Sequence, residues 1–129
     1  MKHQQRSSEI GDVLVVDDDP MIVDMLIDFL DFEGYTARGA SNGREALDMI
    51  MARRPALLLL DMHMPEMSGA ELIQALSRST FADLPIIVIT ASPVDAHYIT
   101  VPRNVACMSK PLDLDALLAG IATTLRACG

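Results

Sequence analysis

Short apolar runs, each followed by a polar residue, set the rhythm of this chain. Val13-Leu14-Val15-Val16 ends on Asp17 and Asp18, Leu57-Leu58-Leu59-Leu60 on Asp61, and Ile86-Ile87-Val88-Ile89 on Thr90. A weaker stretch, Val105-Ala106-Cys107-Met108, is followed just beyond by Lys110. Apolar runs of this length between turn signals predict strands buried on both faces, as in a parallel sheet. A further strand is expected over residues 35–38.

Helix signals lie between the runs. Asp19-Pro20 offers an N-cap with proline at the first helical position. The helix it opens passes through Met21, Leu26, Phe29 and Leu30 to a C-cap near Gly34. Asn42 with Glu45, and Ser68 with Glu71, have the spacing of capping boxes. The first opens a helix that stops before Pro55; the second opens one over residues 69–77. Asp113 caps a last helix whose apolar side is Leu117, Leu118, Ile121 and Leu125. Between Pro93 and Pro102 there is room for about two helical turns, so the fourth helix is expected to be short and irregular. Strand and helix alternate five times, which predicts one α/β domain with a doubly wound parallel sheet covered on both faces. Residues 1–11 read as a polar, disordered tail and 12–129 as the domain.

Parallel strands put their carboxyl ends on one edge, where open α/β sheets carry their chemistry. That edge gathers Asp17, Asp18, Asp61, Thr90 and Lys110. Three carboxylates at close range cannot all stay ionised unless a cation joins them or one pKa rises. Hard oxygen ligands suit Mg²⁺, which shares its coordination with phosphate. Asp61 is then a candidate nucleophile that forms an acyl phosphate. Thr90 and Lys110 stand where they would contact the phosphoryl oxygens. Asp19 reads as a helix cap rather than a ligand, and Asp24, Asp28 and Asp31 as a solvated helix face. Met62, Met64 and Met67 read as packing and loop residues, and Cys107 as a small core residue.

Composition narrows the function. Half of the 129 residues are hydrophobic, yet no apolar run reaches the length of a membrane span, roughly 18 residues. The first residues lack the apolar core of a signal peptide. Cys107 and Cys128 make neither a disulfide framework nor a zinc site, so a reducing, cytoplasmic setting is expected. The net charge of −8 argues against direct nucleic-acid contact. Lys110 is the one lysine outside the tail, in a chain that otherwise uses arginine. A compact ammonium on a flexible stem suits a point contact to a phosphoryl oxygen.

Four pieces in order carry a resemblance. They are Val15-Val16-Asp17-Asp18-Asp19-Pro20, Leu60-Asp61-Met62-His63-Met64-Pro65-Glu66-Met67-Ser68-Gly69, Ile89-Thr90-Ala91 and Ser109-Lys110-Pro111. Together they resemble the receiver domains of two-component response regulators, chemotaxis regulators among them, over nearly the whole chain. The resemblance implies a flavodoxin-like fold with strand order 2-1-3-4-5. It implies phosphoryl transfer to Asp61 from a sensor histidine kinase or phosphotransfer protein. It also implies Mg²⁺ on Asp18, Asp61 and the backbone carbonyl of His63, with Asp17 partly acting through water, and Thr90 and Lys110 on the phosphoryl group. The signal would leave through the surface of the fourth helix, fifth strand and last helix, to an output partner or a C-terminal effector outside this chain.

Three departures from the family pattern stand out. Cys107 replaces the aromatic residue usually found three positions before the lysine, and Tyr98 is a candidate substitute for that half of the switch with Thr90. The segment from Thr90 to Lys110 is shorter than usual. His63 and Ser92, two residues beyond Asp61 and Thr90, would border the path of an attacking water. A phosphatase with an aspartate nucleophile would want a second acid where His63 stands, and a flavin binder a phosphate loop after strand one. The remaining alternative is a pseudo-receiver, an interaction module that works without phosphorylation.

Overall fold

A computed structural model of the protein describes residues 12–62, 67–90, 105–109 and 113–128, with side chains described up to residue 125. The elements follow in the order β1 (Asp12–Val16), α1 (Pro20–Phe32), β2 (Thr36–Ala40), α2 (Gly43–Ala52), β3 (Leu57–Asp61), α3 (Gly69–Ser77), β4 (Ile86–Thr90), β5 (Val105–Ser109) and α4 (Leu114–Cys128). The five strands form one sheet in the order β2-β1-β3-β4-β5, every pair parallel. The expected short helix between β4 and β5 lies outside the described residues, as does the expected N-terminal tail. Among the described residues no helix is long and apolar enough to cross a membrane.

Period-two alternation splits the central strands between two cores. Leu14, Val16, Leu58, Leu60, Ile86 and Val88 face α2 and α3, and pack with Ala46, Ile50, Leu72 and Leu76. Val13, Val15, Leu57, Leu59 and Ile87 face the other way, onto Val23, Leu26 and Leu30 of α1 and Leu117 and Ile121 of α4. Every residue of β1, β3 and β4 is buried, as continuous apolar runs predict for strands covered on both sides. Removing a leucine side chain of this kind from water is worth about 1.5–3 kcal/mol, so the uninterrupted run 57–60 anchors the sheet.

The helix ends follow the local chemistry. Asp19 caps α1 by accepting from the Met21 N–H at 3.0 Å, with Pro20 in the first turn. At the other end Gly34 has φ 97°, and the amides of Gly34 and Tyr35 donate to the carbonyls of Asp31 and Leu30. This is a Schellman closure, which a left-handed glycine permits. It uses Tyr35 in the turn, so β2 starts at Thr36 rather than at the expected residue 35 and ends at Ala40. Ser68 and Glu71 form the full capping box expected for α3. At α2 the box is altered. The Glu45 amide donates to the Asn42 side chain, but the Glu45 carboxylate accepts from the amide and hydroxyl of Ser41, one residue earlier.

Opposite the functional edge, at the start of β1, the buried Asp12 carboxylate pairs with Arg38 of β2 and, at 3.6 Å, with Arg53 beyond α2. Arg38 also donates to the Arg53 carbonyl. Leaving a buried charge without its partner costs several kcal/mol, so this group ties the edge strand and the α2–β3 connection to β1.

β5 departs from the expectation of a strand buried on both faces. Only Val105 is buried; Ala106, Cys107 and Ser109 are exposed. Cys107 is therefore not a core residue. β5 is an edge strand with one neighbour, and its run is short of large side chains, so it cannot recruit the cover that β3 and β4 hold.

Two titrations test these local arrangements. The Ser41 amide, and then its hydroxyl, hold the Glu45 carboxyl below its usual range. A depressed native pKa gives stability that is full above the unfolded carboxylate range and is lost as pH falls through the native value. Glu45 is exposed, so Glu45→Gln should cost under about 1 kcal/mol at neutral pH and flatten the acid side of the stability profile. Identical acid limbs in urea titrations of the two proteins would contradict this. Partial burial pushes the Cys107 thiol above its usual range. With Cys128 replaced by serine, iodoacetamide labelling of Cys107 should keep accelerating beyond the pH at which an unperturbed thiol levels off. A plateau at or below the ordinary thiol range would refute it.

Candidate functional site

The site grows out of the ends of β1 and β3. These neighbours run in register, Val16 opposite Leu60, so the residues that follow emerge side by side from the apolar core. Carboxylate oxygens of Asp17, Asp18 and Asp61 all lie within 4.8 Å of one another. Asp17 and Asp61 are buried, 8% and 5% exposed, while Asp18 opens to solvent.

Backbone contacts fix each carrier. The Asp17 amide donates to the Ala40 carbonyl at 3.2 Å, which holds the end of β1 against the end of β2. Asp17 Oδ1 accepts from the Asp19 amide at 2.9 Å, which aims the carboxylate back across the turn. Asp19 itself stays with its helix and does not join the carboxylate group. On the other strand, Asp61 lies opposite Ile89, and the Met62 amide donates to the Ile89 carbonyl at 3.1 Å. The peptide after Asp61 is thus clamped to β4. Met62 is buried in the core and Met67 is partly buried against it, as packing residues.

Thr90, 2% exposed, ends β4 and lies opposite Ser109 of β5. β3 and β4 each reach one residue past their apolar runs and take in Asp61 and Thr90. Backbone pairing continues as long as a partner strand is present, whatever the side chain. The structure therefore brings Asp17, Asp18 and Asp61 together and sets Thr90 on the adjacent strand end. Lys110, His63, Tyr98 and Ser92 fall outside the described residues. Asp24, Asp28 and Asp31 are exposed on α1, away from the core.

Gly69 adds a feature that the sequence marks only as a helix start. Its amide donates to the Met62 carbonyl at 3.1 Å. A methyl group there would sit 2.8 Å from the Asp61 carbonyl oxygen and 3.0 Å from Met62 Cα. Helix α3 can seat this closely against the end of β3 only because this position carries no side chain. A glycine directly after a Ser cap was the available signal, but the backbone it presses on is a tertiary neighbour.

As a donor set the three carboxylates fit a hard divalent cation: all oxygen ligands within 4.8 Å of one another, with one exposed member. The same arrangement sets the buried Asp61 carboxylate beside the exposed Asp18 at the strand ends.

Comparisons with known proteins agree with this geometry. The sequence pattern of the response regulator receiver domain matches residues 13–122. The response regulator MprA of Mycolicibacterium vanbaalenii is 40% identical over 122 residues, covering 88% of this chain and 50% of that protein. MprA of Mycobacterium avium is 41% identical with the same coverage, so the chain spans about half the length of these relatives. Among solved structures, a CheY-like response regulator receiver domain protein from Methanospirillum hungatei superposes with a TM-score of 0.83 at 28% identity, covering 92% of this chain and 95% of that one. The signal receiver domain of a signal transduction histidine kinase from Syntrophus aciditrophicus gives 0.82 at 28% identity, covering 91% of each chain. With a parallel sheet in the order 2-1-3-4-5, three aspartates at its carboxyl edge and the family pattern along most of its length, the chain belongs to the response regulator receiver domain family.

Proposed function

We propose that the chain is a phosphoacceptor that takes a phosphoryl group onto Asp61 from a phosphohistidine, on a sensor kinase or phosphotransfer protein, with Mg²⁺ bound. The observation that carries this reading is the convergence of Asp17, Asp18 and Asp61 within 4.8 Å, with Asp61 buried at the end of the central apolar strand. A carboxylate oxygen of Asp61 forms the new bond to phosphorus. The bond from phosphorus to the donor imidazole nitrogen breaks, and its electron pair stays on the imidazole. Burial keeps Asp61 in one orientation and limits the water around it, which favours attack by a positioned group. Mg²⁺ would be held by Asp18, Asp61 and the backbone carbonyl of His63, with Asp17 acting partly through water, and would supply positive charge against the phosphoryl oxygens. Thr90 would donate its hydroxyl to a phosphoryl oxygen, and Lys110 would bring its ammonium to another. The chain would catalyse only its own phosphorylation and dephosphorylation, so its product is its own modified state.

The donor needs a surface beside Asp61. Helix α1 starts at the acidic edge and exposes Met21, Met25 and Phe32, 78%, 45% and 87% accessible. Steps of four and eleven residues return to nearly the same angle on a helix, so these three lie on one side of α1, with the exposed Asp28 between Met25 and Phe32. Exposed large apolar side chains grouped on one helix side mark contact surfaces, and this mixed side of α1 fits a donor helix delivering its histidine to Asp61.

Intact mass after incubation with acetyl phosphate tests the acceptor. A Mg²⁺-dependent gain of one phosphoryl group, absent in Asp61→Asn, is expected. No gain in the natural protein, and no binding of beryllofluoride, would leave the interaction module that works without phosphorylation. For the docking side of α1, Met25→Glu should slow transfer from a phosphohistidine donor protein about tenfold, as for an interface residue worth about 1.4 kcal/mol, while acetyl phosphate labelling stays unchanged. Equal loss with both donors would place the defect in the site and reject the docking surface.

A further inference from the structure

We propose that Gly43, in the first turn of α2 and remote in sequence from the acceptor, is a positioning residue that sets the spacing of the three carboxylates. The inference rests on the phosphoacceptor reading above. A methyl group on Gly43 would stand 2.5 Å from the Met67 carbonyl oxygen and 2.8 Å from both Met67 Cβ and Cγ. Carbon atoms prefer separations of about 3.5–4.0 Å, and the nearest of these atoms belongs to the backbone, so it cannot swing aside. Gly43 is thus a seat into which Met67 fits.

The seat connects to the acceptor through a stiff link. Met67 precedes Ser68, whose amide and hydroxyl are both engaged by Glu71 in the capping box, at 2.9 and 3.2 Å. Gly69 follows and meets the backbone of Asp61 and Met62. Met67 is anchored to α2 on one side, and Gly69 is anchored to the end of β3 on the other. The same first turn of α2 also reaches the second carboxylate. It follows Ala40, whose carbonyl accepts from the Asp17 amide, and the turn between them is held by Ser41, Asn42 and Glu45. One rigid turn therefore braces the Asp17 end of β1 and the Asp61 end of β3. Crowding at Gly43 pushes Met67, and with it α3, away from α2, and shifts Asp61 relative to Asp17.

The probe is Mn²⁺, whose free fraction is read from its electron paramagnetic resonance signal, with the full chain well below its unfolding transition. Gly43→Ala should weaken Mn²⁺ binding about tenfold, the scale for residues that orient metal ligands from behind, and slow acetyl phosphate labelling to a similar degree. Met67→Ala, which empties the seat instead of crowding it, should weaken Mn²⁺ binding in the same direction with the fold intact by circular dichroism, and it decides the matter if Gly43→Ala does not fold. Variants that lose thermal stability but bind Mn²⁺ as the natural protein does would overturn the positioning role. A natural protein that neither binds Mn²⁺ nor gains a phosphoryl group would instead overturn the phosphoacceptor reading.

Discussion

The convergence of three carboxylates from two strands within 4.8 Å is the constraint on which the structure turns. Such a spacing holds only if the backbone that carries each acid is fixed from behind. Here the fixing comes from the least polar part of the molecule. β1 and β3 sit side by side in the sheet, buried along their whole length and packed on both faces. The hydrophobic burial that makes the sheet also holds the acids at its edge.

That arrangement explains how the fixed and open parts of the site are shared out. Asp17 and Asp61 are buried and their backbones are tied to neighbouring strands, Asp17 to Ala40 and the peptide after Asp61 to Ile89. Asp18 alone faces solvent, where a cation or a phosphoryl donor would arrive. Under the proposed function, this puts rigidity at the acceptor and openness where the donor would approach. Helix α1 extends the same logic. Its buried side, Val23, Leu26 and Leu30, secures it to the sheet, while Met21, Met25 and Phe32 remain outside.

The two edges of the sheet divide the labour. At the start of β1, Asp12, Arg38 and Arg53 form an ion-paired group that fastens β2 and the turn before β3. At the carboxyl edge, Asp17, Asp18 and Asp61 converge into one group of oxygen ligands. β5 belongs to neither core to the same degree: only Val105 is buried, and Cys107 stands exposed where the family usually has an aromatic ring.

Much of this is local and therefore legible in the chain alone. Apolar runs that end on Asp17, Asp61 and Thr90 show the strands and the edge they share, because burial on both faces requires apolar side chains at every position. Asp19-Pro20, Ser68 with Glu71, and Gly34 show the helix ends, because a cap is made by residues a few places apart. What only the tertiary structure decided depends on neighbours distant in sequence. Cys107 is exposed although its apolar run reads as a core strand, and the sheet order places that strand at an edge, which its own residues do not reveal. Asp12 is buried because Arg38 comes from another strand to meet it. Gly43 and Gly69 matter because Met67 and the Asp61 backbone occupy the space where their side chains would be, and the spacing of atoms across elements is settled only when the elements pack.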